Sequence, residues 1–99
     1  MTKQQKFLKE FHKIIEKFEV DEIIGHYKFT IRTKYGIFRF IAPEENSSVF
    51  SIFGRFDSPK EAYEYCSCNI YTGKYNFHST NMESCLKRFE NFLKKIAIA

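Results

Sequence analysis

Apolar residues near the N-terminus recur every three or four positions, which is the period of an α-helix. Between Thr2 and Glu19 they fall at Phe7, Leu8, Phe11, Ile14, Ile15 and Phe18. This spacing places them on one face of a helix, the face that packs on a core. The opposite side carries four lysines, Lys6, Lys9, Lys13 and Lys17. We therefore predict an amphipathic first helix with a basic outer row.

The period changes to two in the middle of the chain, which is typical of half-buried strands. A first strand is predicted where Tyr27, Phe29 and Ile31 alternate with Lys28, Thr30 and Arg32. The Tyr35-Gly36 pair then predicts a turn into a second strand over Ile37 to Ala42, so the two strands form a hairpin. A polar loop follows over 43–48, and Val49 to Phe56 is predicted to be extended again.

Capping residues predict two further helices. Ser58 before Pro59, with Glu61 three residues after the serine, predicts a short helix that ends near Cys66. Thr80 to Glu83 predicts a second capping box, which starts a last helix with an apolar stripe at Met82, Leu86, Phe89, Leu93 and Ile96. Between these helices Thr72-Gly73 predicts a turn and 75–79 a strand, while 69–71 is compatible with either strand or loop.

These elements predict an α+β fold, a two-layer sandwich in which a helix at each end and one short helix accompany an antiparallel sheet of three to five strands. The chain of 99 residues has room for one domain, 1–99. Helices on one side leave the other sheet face for water or a partner. The predicted core contains Phe7, Phe11, Ile14, Ile15, Phe18, Phe29, Ile31, Phe40, Ile52, Leu86, Phe89 and Leu93.

Composition narrows the setting. No apolar run approaches the roughly 20 residues that a membrane-spanning helix needs, and the charged N-terminus lacks the apolar region of a signal peptide. We therefore expect a cytoplasmic protein with no membrane partner. Three cysteines in such a chain predict reduced thiols and no disulfide framework. The net charge of +4 is compatible with nucleic-acid or acidic protein partners.

Metal and catalytic chemistry find little support. Cys66, Cys68, His78 and Cys85 are the ligand types that zinc prefers, but their spacing is unlike the paired C-x2-C turns of structural zinc sites. Thr72-Gly73-Lys74 lacks the upstream glycine of a P-loop. His12, His26 and His78 have no local nucleophile signature. The sequence predicts a protein that is not an enzyme and carries no metal or cofactor.

Nucleic-acid binding has a clearer physical basis. Aromatic rings on an open sheet face stack bases while cations neutralise phosphates. Candidates for such a platform are Tyr27, Tyr71 and Tyr75, with Arg32, Arg39, Arg55 and Lys74. The alternative is that these rings belong to the core and the charges to the solvated side of each strand. The lysine row of the first helix is a second candidate site, for a phosphate backbone or an acidic protein surface.

One stretch of the chain comprises Gly54 to Asp57, a short helix, and Cys68-Asn-Ile-Tyr-Thr-Gly-Lys-Tyr-Asn-Phe-His78. This stretch resembles a segment of small uncharacterised proteins of phages and mobile elements. The resembling proteins have proline and tryptophan where this chain has Ile70 and Tyr75. The likeness covers about a quarter of the chain and brings no catalytic residue with it.

The resemblance implies a non-enzymatic phage-type binding protein, a stoichiometric inhibitor of a bacterial defence complex similar to anti-CRISPR proteins, acting in the host cytoplasm. Its partner would be a larger protein or ribonucleoprotein complex. The candidate contact patch is Arg55, Asn69, Tyr71, Lys74, Tyr75, Asn76 and His78. Alternatively, the two asparagines of this segment hydrogen-bond the turn and Tyr71 packs over it. The alternative functions are a small nucleic-acid-binding module and a subunit that assembles through its open sheet face.

Overall fold

The computed structural model describes residues 2–18, 20, 22–24, 28–42, 49–66 and 68–97. Three helices and five strands lie within these ranges. In chain order they are α1 (Lys3–Ile15), β1 (Glu22–Ile24), β2 (Lys28–Thr33), β3 (Gly36–Ile41), β4 (Phe50–Phe56), α2 (Pro59–Cys66), β5 (Phe77–Ser79) and α3 (Met82–Ile96). The predicted α+β fold is confirmed.

The strands form one antiparallel sheet in their order along the chain, β1-β2-β3-β4-β5. One face of this sheet is covered by α1 and α3, and rings from both layers meet between them. Phe11 of α1 lies 5.7 Å from Phe29 of β2, and Phe89 of α3 lies 5.2 Å from Phe40 of β3, measured between ring centroids. The core is therefore the single layer between the sheet and the two terminal helices.

Phenylalanine dominates this core. All twelve phenylalanines of the chain lie in the described ranges, and most are buried. The buried set is Phe7, Phe11, Phe29, Phe38, Phe40, Phe50, Phe56, Phe77, Phe89 and Phe92. Phe18 is half-buried, and Phe53 is the one with an exposed side chain, at 39%. Large aromatic side chains bury much apolar area per residue, which helps a small domain to fold.

The first helix begins as a capping box and ends earlier than its pattern predicts. Thr2 Oγ1 accepts a hydrogen bond from the Gln5 backbone, while Gln5 Oε1 accepts one from the Thr2 backbone. After Ile15 the chain tightens, because Lys17 N donates to Ile14 O and Phe18 N to Ile15 O. The prediction of a helix to residue 19 is wrong, and this is why Phe18 packs at the margin of the core.

Three other local predictions need correction. β1 was not predicted, since three residues are too few to show a period. The strand predicted over 75–79 begins at Phe77, because Asn76 Oδ1 accepts the Gly54 N–H at 3.2 Å, in place of a backbone carbonyl. Asn81, and not Thr80, caps α3 by accepting from Ser84 N at 3.0 Å.

The β2–β3 turn and the edge strand β5 are each held by specific hydrogen bonds. At the turn, formed by Lys34 and Tyr35, Thr33 Oγ1 donates to the Gly36 carbonyl at 2.6 Å and accepts from Tyr35 N at 3.0 Å. At one edge of the sheet, the Arg88 guanidinium of α3 donates to the His78 carbonyl of β5.

No helix in the described ranges is long and apolar enough to cross a membrane.

Candidate binding face of the sheet

Strand alternation sends a second set of side chains to the face that α1 and α3 do not cover. On β4, Phe50, Ile52 and Phe56 are buried, whereas Phe53 and Arg55 are exposed. Strand β3 follows the same rule, with Arg39 exposed and Ile37 and Ile41 half-buried. On β2 the same face carries Lys28 and Arg32, which are exposed, and Thr30 between them, which is buried at 5%. We call this surface the open face.

Three cations of the open face stand side by side across the sheet. Thr30, Arg39 and Arg55 are direct cross-strand partners on β2, β3 and β4, and Lys74 forms a single antiparallel bridge with Arg55. Neighbouring strands lie about 4.8 Å apart, so each cationic residue is one strand spacing from the next. We call Arg39, Arg55 and Lys74 the cation row. Like charges placed directly opposite one another destabilise a sheet.

The charge of one member of the cation row is neutralised by an ion pair, and the charges of the other two are not. Arg39 forms a two-pronged ion pair with Asp57, with Nε to Oδ1 and Nη2 to Oδ2 distances of 3.1 Å each. Within the described part of the chain, the side chains of Arg55 and Lys74 have neither an ion-pair nor a hydrogen-bond partner. Both are exposed, so their charges are available to a ligand.

An apolar strip runs beside the cation row. Ile41 of β3 is the cross-strand partner of Phe53 on β4, two residues before Arg55. The Phe53 ring meets the His78 ring edge to face, with centroids 5.4 Å apart. His78 Nδ1 lies 2.9 Å from Ser51 Oγ, which fixes the imidazole against the strand. Phe53 therefore lies on the open face as an exposed ring, packed against an imidazole that Ser51 holds in place.

A groove of about 570 Å³ lies over this face. It extends from Lys28 and Thr30 on β2 across both central strands to Lys74 and Asn76. Its floor includes Gly54 and Phe40, and Phe53 and the cation row form its sides. The long direction of the groove therefore crosses the strands, with Lys28, Ile41 and Phe53 along one side and the cation row along the other.

The segment from Cys68 to His78 divides into structural and outward-facing residues. Asn69 Oδ1 accepts from Tyr71 N at 2.9 Å and Thr72 N at 3.1 Å, so Asn69 holds its own turn. The Tyr75 ring stacks on Phe92 at 4.4 Å and 8°. Asn76 accepts from Gly54 N and also lines the groove. The expectation that both asparagines hydrogen-bond the turn is confirmed for Asn69 and wrong for Asn76, which binds the backbone of β4 at Gly54 instead.

Gly73 shows why this turn must approach the sheet closely. Its φ is +70°, and a Cβ placed on it would lie 2.5 Å from the Phe56 carbonyl oxygen. That carbonyl belongs to β4, and Phe56 N donates to the Gly73 carbonyl at 3.0 Å. Glycine is therefore required for the contact that brings Lys74 beside Arg55.

The tip of the same turn points into solvent. Tyr71 is 91% exposed and its neighbour Ile70 is 42% exposed. The expectation that Tyr71 packs over the turn is wrong, because the Asn69 hydrogen bonds already close the turn without it. Of the candidate platform rings, Tyr75 belongs to the core side and Tyr71 to this tip, while Tyr27 lies outside the described residues. Phe53 is instead the exposed phenylalanine of the open face.

The lysine row of the first helix is partly neutralised. Lys6, Lys9 and Lys13 are exposed on α1, whereas Lys17 lies in the turn after it, so its assignment to the helix is wrong. Lys13 Nζ lies 3.3 Å from Glu10 Oε1. Lys17 Nζ donates to Glu90 Oε2 of α3 at 2.7 Å, and this hydrogen bond is the chief reason that the pKa of Glu90 is lowered.

The cysteines that are described in full lie in the interior. Cys68 and Cys85 are free, buried thiols that approach the carbonyls of Pro59 and Phe77. Burial raises the pKa of the Cys85 thiol, and the nearby Arg88 charge opposes this effect in part. Among the described residues, no group of three or more histidine, cysteine or acidic side chains could hold a metal ion.

Comparison with known proteins adds no assignment to this geometry. No protein-family model, curated protein or solved structure matches the chain.

Sequence reasoning identified Arg39, Arg55 and Lys74 but missed Phe53 as a candidate site residue. The signal was present, since Phe53 occupies the same parity along β4 as Ser51 and Arg55.

Proposed function

We propose that this chain is a non-enzymatic binding protein and that it holds single-stranded nucleic acid on the open face. The observation that carries the proposal is the cation row beside Phe53. Arg39 and Arg55 are direct cross-strand partners, and Lys74 follows them. Such a row costs sheet stability, and departures from locally favourable choices are expected where function compensates them.

A single strand fits this face better than a duplex does. Stacking on an exposed ring needs an unpaired base, and a protein ring can stack any base because each has a π face. Among the described residues, the open face offers a groove and no helix or ribbon that protrudes as a major-groove reader does. Bases on Phe53 with phosphates on Arg55 and Lys74 use both sides of the groove.

The proposal predicts salt-dependent binding of unstructured oligonucleotides. Fluorescence anisotropy with labelled 12-nucleotide dT and rU, and with a duplex of equal length, would measure affinity at 50 and 200 mM salt. We expect both single strands to bind more tightly than the duplex and to weaken as salt rises, since phosphate contacts release counterions. Absent or salt-insensitive binding would overturn the proposal.

Charge removal provides the matched comparison. The Arg55→Ala/Lys74→Ala variant should lose most of the affinity, whereas Lys87→Ala should keep it. Lys87 is exposed on α3, in the layer behind the sheet, so the control removes a positive charge without touching the open face. Circular dichroism would establish that both variants retain the fold.

One observation supports a second candidate function, the inhibition of a bacterial defence complex. Tyr71 projects from a turn that is pre-organised by Asn69 and Gly73, and rigid exposed tyrosines are common anchors in protein interfaces. The resemblance to phage proteins suggests the class of partner. This chain would then act in the host cytoplasm by covering a functional surface.

Affinity capture from a bacterium that carries defence systems tests this second candidate. A nuclease-resistant complex lost in Tyr71→Ala but kept in Arg55→Ala/Lys74→Ala would support it. Capture of nucleic acid alone, insensitive to Tyr71→Ala, would favour the first proposal. Turnover of a substrate by the isolated protein would contradict both.

A further inference from the structure

We propose that the bound nucleic-acid strand lies across the β-strands, with one base on Phe53 and two successive phosphates on Arg55 and Lys74. This inference rests on the proposed function and specifies its geometry. The direction follows from the groove, which spans β2, β3, β4 and the segment after the turn. A strand that lies in it must cross the β-strands.

The order of side chains along β4 determines where the bases and the sugar-phosphate backbone of the ligand lie. Phe53 and Arg55 lie two positions apart on β4, and Asp57 comes directly after the strand, two positions beyond Arg55. A ring, a cation and a carboxylate therefore follow one another at intervals of about 7 Å. Asp57 is held beside the row by Arg39. A phosphate placed beyond Arg55 would meet that carboxylate, so the sugar-phosphate backbone stays over the cation row with its bases toward Phe53.

The number of phosphates follows from the cations that remain available. Arg39 is already bound to Asp57, and Lys28 already has an interaction within the chain. Arg55 and Lys74 are unpaired within the described residues. Their backbones meet at a direct bridge, so the two long side chains reach neighbouring phosphates. Each phosphate neutralised on a single strand contributes about −0.7 to the slope of log affinity against log salt. Two contacts predict a slope near −1.4.

A salt titration with dT12 and rU12 tests this number. We expect a slope near −1.4 for the unmodified chain and near −0.7 for Arg55→Ala and for Lys74→Ala separately. Lys87→Ala should leave the slope unchanged. A slope steeper than about −2.8 would show four or more phosphate contacts and overturn the inference while leaving the proposed function in place.

A length series and an abasic ligand test the placement of the base. Affinity should rise steeply with ligand length up to three nucleotides. For longer strands it should rise only in proportion to the number of overlapping three-nucleotide sites that the strand offers. Removing the bases should weaken binding at least about fivefold, and Phe53→Ala should abolish this difference. Equal binding of abasic and normal strands, or of a glutamate dodecapeptide, would overturn the inference. Failure of every oligonucleotide to bind would overturn the proposed function as well.

Discussion

The ring of Phe38 on β3 lies against Gly54 on β4, so closely that a Cβ on Gly54 would come within 2.0 Å of Phe38 Cζ. Gly54 occupies a core-facing position between Ile52 and Phe56, where the alternation would otherwise place a large side chain. Its missing side chain is the space that the Phe38 ring fills. Phe53 and Arg55 flank Gly54 along β4 and lie on the open face.

We expect Gly54→Ala to destabilise the fold by about 1 to 3 kcal/mol, the usual cost of inserting a methyl group into a packed core. Urea unfolding would measure the loss. In a Phe38→Leu background the same substitution should cost less, since the smaller side chain leaves room, and the difference is the coupling between the two positions. Additive losses would show that the ring does not set the cost.

We expect Gly73→Ala to weaken both stability and oligonucleotide binding. The left-handed φ and the 2.5 Å approach to the Phe56 carbonyl oxygen mean that a Cβ would push the turn away from β4 and carry Lys74 with it. Denaturant unfolding and anisotropy with dT12 would follow the two effects. Tyr71→Ala, two residues earlier and 91% exposed, is the control and should change stability by less than about 0.5 kcal/mol.

We expect Phe89→Ala to cost about 3 to 5 kcal/mol, because this ring is fully buried and joins all parts of the core. Its centroid lies 5.3 Å from Phe11, 5.2 Å from Phe40 and 5.5 Å from Phe77. Phe11→Ala should behave alike. Phe53→Ala provides the contrast, since an exposed ring on the open face should cost much less; similar losses would mean that the two sheet faces are assigned wrongly.

We expect the Lys17 to Glu90 ion pair to make a small, pH-dependent contribution to stability. The lowered pKa of Glu90 means that the contribution is present above the ordinary glutamate pKa of about 4.3 and is lost as the pH falls through the lowered value. Lys17→Met should therefore reduce stability at pH 7 by up to about 1 kcal/mol and match the parent chain in strong acid. Lys9→Met should show no such pH-dependent difference.

We expect Asp57→Asn to strengthen oligonucleotide binding about two- to fivefold, since it removes a negative charge from the margin of the cation row. Anisotropy at low salt would show the gain, and it should shrink at 200 mM salt as screening increases. Glu83→Gln, on the first turn of α3 behind the sheet, removes an equal charge and should leave affinity unchanged. Weaker binding by Asp57→Asn would show that the carboxylate positions Arg39 for the ligand.

The sequence allowed prediction of the elements whose residues repeat a period several times, and of α2 through its capping residues. The stripes of α1 and α3 and the alternation of β2, β3 and β4 are long enough to distinguish a helix from a strand. β1, with three residues, and the early end of α1 carry no such repeat. All but Phe18 of the residues predicted to form the core are buried.

The site could be predicted in part. Arg39, Arg55 and Lys74 were expected on a strand surface, but their alignment depends on the register between β3 and β4 and on the bridge made by the segment after α2. Those pairings join residues far apart in sequence, which local patterns do not specify. The same is true of Phe53, whose value as a site residue depends on which sheet face the helices leave uncovered.

A sheet with an exposed aromatic face risks recruiting further copies of itself through its border strands. In this chain β5 is three residues long, and the Arg88 guanidinium occupies the carbonyl of its middle residue, His78. An incoming strand would have to displace a cation to gain a short run of backbone pairing. The edge strand β5 is therefore a poor template for pairing with a strand of another copy.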